Sequence, residues 1–232
     1  MTETAPKFQE YLKLLWLNIT VKKQNLIEYF KVIYRYYGNF GFLKADTLLL
    51  SKYLFKNPFK ISKEFLIKKG ESDIYAYGET PLTTLEYIAK ECGITAKDTV
   101  FELGCGRGRG CFWLNRFIGC KVVGIEIIPE FVFFADQVKS SCQIKNIEFR
   151  QGDILEADYT EATVLYLYGT CYEDLFIKKL IKRIASLPSG AKIITISYPL
   201  SDYIGSRDFE IMKRFTASFT WGVADVYLQI KK

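Results

Sequence analysis

Thr99–Leu103 is a short apolar run interrupted only by Glu102, and it opens directly into Gly104-Cys105-Gly106-Arg107-Gly108-Arg109-Gly110 before a segment of helical spacing. A strand that feeds a glycine-rich turn and then a helix fits few architectures. The glycines let a ligand approach the backbone at the strand's C-terminal end, which is where doubly wound sheets bind nucleotide-like molecules. That is the layout of a doubly wound α/β sheet. Arg109 stands where the dinucleotide pattern G-x-G-x-x-G needs its last glycine, and Glu102 precedes the turn, which argues against a nicotinamide fingerprint.

The rest of the chain after Asp98 alternates in the same sense. Strand-like runs at Lys121–Ile127, Ile147–Gln151, Ala162–Tyr168 and Lys192–Ser197 are separated by helical patterns at Gly108–Phe117, Glu130–Ser141 and Glu173–Leu187. Arg214–Thr220 and Val223–Ile230, joined by Trp221-Gly222, read as an antiparallel hairpin at the sheet edge. The expected fold is therefore a Rossmann-like sheet, mostly parallel, closed by that hairpin.

From Phe8 to Lys69 apolar residues recur at helical spacing, with breaks at Gly38–Gly41 and Asn57-Pro58, which predicts three or four helices. Residues 71–80 read as a loop. Thr80-Pro81 then predicts an N-cap with proline at the first helical position, and the helix it starts stops at Gly93. The chain divides into a helical cap, residues 1–75, and an α/β domain, residues 76–232. Residues 1–75 carry 13 Lys and Arg against 7 Asp and Glu, whereas residues 76–232 carry 19 of each. The net charge of +6 thus belongs to the cap, which also holds 15 of the 37 aromatic residues. Such a basic–aromatic surface suits an anionic or polymeric partner, RNA among them, and packed aromatics beneath a solvated lysine face are the alternative.

The chain has no histidine, which removes Ser-His-Asp and Cys-His catalysis. Its six cysteines include no C-x-x-C pair, so zinc and iron–sulfur frameworks are not expected, and reduced, mostly buried thiols are. No apolar run reaches the roughly 18–20 residues a spanning helix needs, and Met1–Glu10 lacks a basic secretory start; a soluble cytoplasmic protein is the expectation.

Three acids sit at successive strand ends. Glu102 ends the first strand's run, Glu126 follows the second twenty-four residues later, and Asp153 follows the third in Gln151-Gly152-Asp153-Ile154. A carboxylate at the end of the second strand is suited to ribose hydroxyls. One at the third suits an adenine amino group, with Ile154 covering the ring. Arg107 and Arg109 are candidates to meet a carboxylate on the ligand or substrate.

This constellation resembles the class I, seven-strand S-adenosylmethionine-dependent methyltransferases over about residues 75–232, whose first motif is similar to Glu102-x-Gly104-x-Gly106-x-Gly108. The resemblance implies S-adenosylmethionine as cofactor. In it Glu102, Gly104 and Gly106 shape the methionine end of the site, Glu126 holds the ribose, and Asp153 with Ile154 holds the adenine. Tyr77-Gly78-Glu79-Thr80 before a helix resembles the cofactor lid of the disruptor-of-telomeric-silencing-like and related protein-lysine methyltransferases, which implies that Thr80 touches the methionine part and Tyr77 closes the site. Thr163–Tyr172 is similar to that family in length and position, with Tyr168-Gly169 where it has an asparagine pair. Tyr168 and Tyr172 are the residues expected to line the acceptor channel and carry catalysis. No Asn/Asp-Pro-Pro-Tyr sequence follows this strand, which disfavours adenine-N6 and glutamine acceptors. The implied activity is methyl transfer to a protein side chain, lysine first. A small-molecule acceptor, RNA, and a non-catalytic cofactor-binding protein are the other readings.

Overall fold

The computed structural model describes residues 8–71, 73–75, 77–170, 172–203 and 208–232. Three helices lead the chain: α1 (Phe8–Tyr36), α2 (Phe40–Lys52) and α3 (Pro58–Lys69). The two sequence breaks fall at their joints because each supplies a cap. Asn39 accepts a hydrogen bond from the Phe42 amide, and Asn57 accepts one from Phe59 with Pro58 at the first helical position. Gly70 takes the left-handed conformation that ends α3.

Seven strands follow: β1 (Thr99–Leu103), β2 (Lys121–Glu126), β3 (Ile147–Gln151), β4 (Val164–Leu167), β5 (Lys192–Ile196), β6 (Phe209–Phe219) and β7 (Gly222–Lys231). They lie in the order β3-β2-β1-β4-β5-β7-β6; the first five are parallel, and β7 inserts antiparallel between β5 and β6. The helices α4 (Leu82–Glu91), α5 (Arg109–Trp113), α6 (Pro129–Ser141) and α7 (Asp174–Ile184) complete the fold.

Alternate residues of the strands feed two cores. Val100, Val122, Val164 and Ile194 join α1, α2, α4, α5 and α6 on one side, while Phe101, Val123, Leu165 and Ile193 join Ile177, Leu180, Ile181 and Ile184 of α7 on the other. Burial on both faces is what the unbroken apolar runs required. From β1 the chain winds outward to β3 and then returns to place β4 on the opposite side of β1. The C-terminal ends of β1 and β4 therefore flank a crevice, the usual ligand position of an open α/β sheet.

Expectations for three elements need correction. Pro81, not Thr80, is the N-cap of α4, and the Thr80 hydroxyl lies 2.6 Å from that of Tyr166. The cap is supplied from elsewhere: the Glu28 carboxylate of α1 accepts from both the amide and the hydroxyl of Thr83. The helix after the glycine turn keeps α form only to Trp113 and then widens into a π turn, Leu114–Ile118. In the hairpin β6 starts earlier, at Phe209, and the turn is Thr220-Trp221, because Phe219 pairs with Gly222. Cys92, Cys105, Cys111 and Cys120 are buried free thiols and Cys142 is half-buried; Cys171 lies outside the described residues.

Candidate active site

The crevice holds a cavity of about 330 Å3 lined by Tyr77, Gly78, Gly104, Glu126, Asp153, Ile154, Tyr168 and Tyr172, with Ser62, Leu66 and Lys69 of α3 on its rim. Seven of the ten site residues expected from sequence meet there. A second recess of about 20 Å3 adjoins it, lined by Thr80, Glu102, Gly104, Arg109, Tyr166 and Tyr168. Gly106 lines neither, but its amide is tied to the site through Glu126.

Glu126, at the end of β2, is buried, and its two oxygens accept from the amides of Gly106 (2.8 Å) and Ile128 (2.9 Å). Burial raises its carboxyl above the ordinary range, and the amides oppose that shift. Each oxygen retains a lone pair for a hydroxyl donor. Asp153 Oδ1 accepts from the Leu155 amide, which fixes the loop after β3.

Two close approaches shape the glycine turn. Gly108 has φ +77°, and a Cβ there would come within 2.4 Å of the Phe149 ring. A Cβ on Gly110 would lie 2.6 Å from a Glu102 oxygen. Glu102 is thus enclosed, and the Cys111 thiol donates to its carboxylate at 3.1 Å. Burial carries its carboxyl up from 4.5 to about 7. A carboxyl raised in the fold contributes its stability below about pH 4.5 and loses it as the pH passes 7, a difference of roughly 3 kcal/mol. Glu102→Gln is accordingly expected to raise the unfolding free energy by about 2–3 kcal/mol at pH 8 and to change it little at pH 4, measured by denaturant titration. An equal change at both pH values would contradict the assignment.

Arg107 and Arg109 are mostly buried, and each is engaged by a carboxylate of the chain itself. Arg107 forms a two-pronged pair with Glu79 (2.7 and 2.6 Å), to which the Tyr77 hydroxyl also donates. Burial works against the ionised form of Glu79, yet Arg107 brings its carboxyl down to about 2. Arg109 pairs the same way with Asp46 of α2 (2.7 Å twice), and the Tyr37 hydroxyl adds a third bond to that carboxylate. The cap is therefore bolted to the glycine turn. Sequence reasoning gave Glu79 no role of its own within the lid motif and missed Asp46; for Asp46 the available signal was an acid on the apolar face of α2, beside Phe42, Ala45 and Leu49, which demands a buried cation.

Past β4, the Tyr168 ring stacks on Phe219 (5.5 Å between centroids, 16° between planes), and Phe219 stacks on Trp221 (5.4 Å, 13°). Trp221 Nε1 donates to the Tyr168 hydroxyl at 2.6 Å. Tyr168 lines both recesses while Trp221 is 43% exposed, so the three rings form an aromatic wall from the crevice to the surface. Tyr172 stacks instead on Phe176 (4.3 Å).

Residues 94–212, just over half of the chain, match the family described as Methyltransferase domain. The chain belongs to this methyltransferase family. Its fold is that of the class I S-adenosylmethionine-dependent methyltransferases. An RNA methyltransferase from Salinibacter ruber, crystallised with S-adenosyl-L-homocysteine, superposes with a TM-score of 0.55 at 25% identity, covering 66% of this chain and 94% of that one. A histone-lysine N-methyltransferase, H3 lysine-79 specific, of Dictyostelium discoideum is 27% identical over 61% of this chain and 8% of its own length. The sterol 24-C-methyltransferase of Saccharomyces cerevisiae is 31% identical over 37% of this chain and 24% of its own. The chain thus spans a quarter or less of these two curated relatives.

The crevice fits S-adenosylmethionine as its cofactor on two observations of this structure. The volume lies at the lower end of the roughly 300–1,000 Å3 of small-molecule sites, and Glu126 and Asp153 place carboxylates around it, acceptors of the kind that ribose hydroxyls and an adenine amino group require.

Proposed function

We propose that this methyltransferase acts on a protein side chain, the lysine amine, with Glu126 holding the cofactor's ribose, Asp153 and Ile154 its adenine, and Thr80, Glu102, Gly104 and Gly106 shaping the methionine end under Tyr77. The observation that carries the acceptor is the aromatic wall Tyr168–Phe219–Trp221, open to the surface at Trp221. The cavity of about 330 Å3 lies at the lower end of the range of small-molecule sites, and a cofactor would take up much of it. An acceptor that reaches in from outside is the better match.

When bound, S-adenosylmethionine supplies an already activated methyl group, so the protein's task is alignment and exclusion of water. An amine must be neutral to attack. The low-polarity wall of Tyr168 and Phe219 favours the neutral form, and the ring faces then hold the methylated cation. Tyr172 closes the other side of the crevice, next to Gly104. Residues 1–75 serve as the acceptor-recognition cap, with α3 on the cavity rim.

Tyr168→Phe removes the acceptor of the Trp221 hydrogen bond but keeps the ring. We expect turnover to fall by about tenfold or more, with cofactor affinity retained in calorimetry. Trp221→Ala is expected to raise KM for a protein acceptor, and normal transfer in both variants would remove the wall from the acceptor path. An RNA acceptor is the second reading, supported by the Salinibacter ruber likeness and the basic cap. Strong loss of binding to nucleic acid as salt rises would favour it.

A further inference from the structure

We propose that the outward face of α1 docks on the surface of an anionic lipid bilayer. Val32 and Tyr36 bury the inner side of this helix, and Glu28 is turned inward to Thr83. Helical spacing sets Leu15, Ile19, Leu26, Phe30 and Ile33 on the opposite side, with Trp16 and Tyr34 beside them. All seven are exposed; Trp16 is 73% and Tyr34 91% open. From Leu15 to Tyr34 the stripe runs about 28 Å at 1.5 Å per residue. An exposed apolar face of this length, interrupted at Lys23, marks an interaction site.

Charge selects the occupant. Lys22 and Lys31 border the stripe and Lys23 lies within it, while the one described carboxylate of α1, Glu28, is occupied on the inner side. Leu, Ile and Trp on one face with lysines at its margins is the composition of a helix lying in a membrane interface, where apolar burial and attraction to anionic headgroups act together. RNA fits less well, because within the stripe bases find rings only at Trp16, Phe30 and Tyr34, while Leu15, Ile19, Leu26 and Ile33 offer them nothing to stack on. In a pair of copies Lys23 would sit on the seam, facing like charge. Among the described residues no helix is long and apolar enough to cross a membrane, so α1 lies on the surface and does not span it.

The test is sedimentation of the full chain with vesicles of phosphatidylcholine alone or mixed with phosphatidylglycerol. Binding at least tenfold tighter to the mixed vesicles is expected, reduced tenfold or more by the double substitution Leu26→Gln, Phe30→Gln. Lys22→Glu with Lys23→Glu should remove the preference for the anionic vesicles. All four positions are exposed, and an unchanged unfolding midpoint verifies the fold of each variant. Equal sedimentation of parent and apolar variant overturns the proposal. So does absence of binding, competition by an RNA oligonucleotide, or a dimer in size-exclusion chromatography that Leu26→Gln, Phe30→Gln dissociates.

Discussion

Glu126→Ala is expected to weaken S-adenosylmethionine binding by more than a hundredfold in isothermal calorimetry. The carboxylate is assigned the two ribose hydroxyls, and a hydrogen bond to a charged group contributes about 1.5–3 kcal/mol. The loss has a second source. Glu126 also accepts from the amides of Gly106 and Ile128, so its removal releases the glycine turn from the end of β2 and leaves two buried donors without acceptors. Asp153→Ala, at a position with one backbone bond, should cost about tenfold. Unchanged affinity in both variants would displace the cofactor from this crevice.

Asp46→Ala should be the most destabilising of the substitutions considered, by about 3–5 kcal/mol, because it strands the Arg109 guanidinium, which is 15% exposed, and takes an acceptor from Tyr37. For a chain of this size that lowers the unfolding midpoint by about 10 °C. Replacing both partners, Asp46→Leu with Arg109→Met, should recover much of the loss, since the pair's own net contribution is small against its desolvation. A single substitution costing less than about 1 kcal/mol would show that the α2–glycine turn pair does not hold the cap in place.

Strands β1, β2, β4 and β5 were legible because each is buried on both faces and reads as an apolar run, whereas the edge strand β3 alternates buried and exposed residues; β1 and β3 match their predicted bounds residue for residue. Glu126 and Asp153 were legible for a related reason: position at a strand end sets an acid beside the crevice whatever the rest of the chain does. Contacts made by distant segments were not. Arg109 finds Asp46 sixty-three positions away, and Tyr168 finds Trp221 fifty-three away, across a hairpin turn whose place in the sheet no local pattern encodes. Thr80 was misread because its type suits an N-cap, yet Tyr166 engages its hydroxyl and Glu28 caps the helix from another element. The π turn hid for a different reason, since Leu114–Ile118 keeps a helical apolar pattern.

Methylation of a protein by this chain is measured by transfer of radiolabelled methyl from S-adenosylmethionine into lysate, with the Glu126→Ala chain as control and the product divided by protease and by ribonuclease. Label in a discrete, protease-sensitive band, absent with Glu126→Ala, is the expected result, with methyllysine in its hydrolysate. Label that appears equally with Glu126→Ala, or that is ribonuclease-sensitive or of low molecular weight, would contradict it.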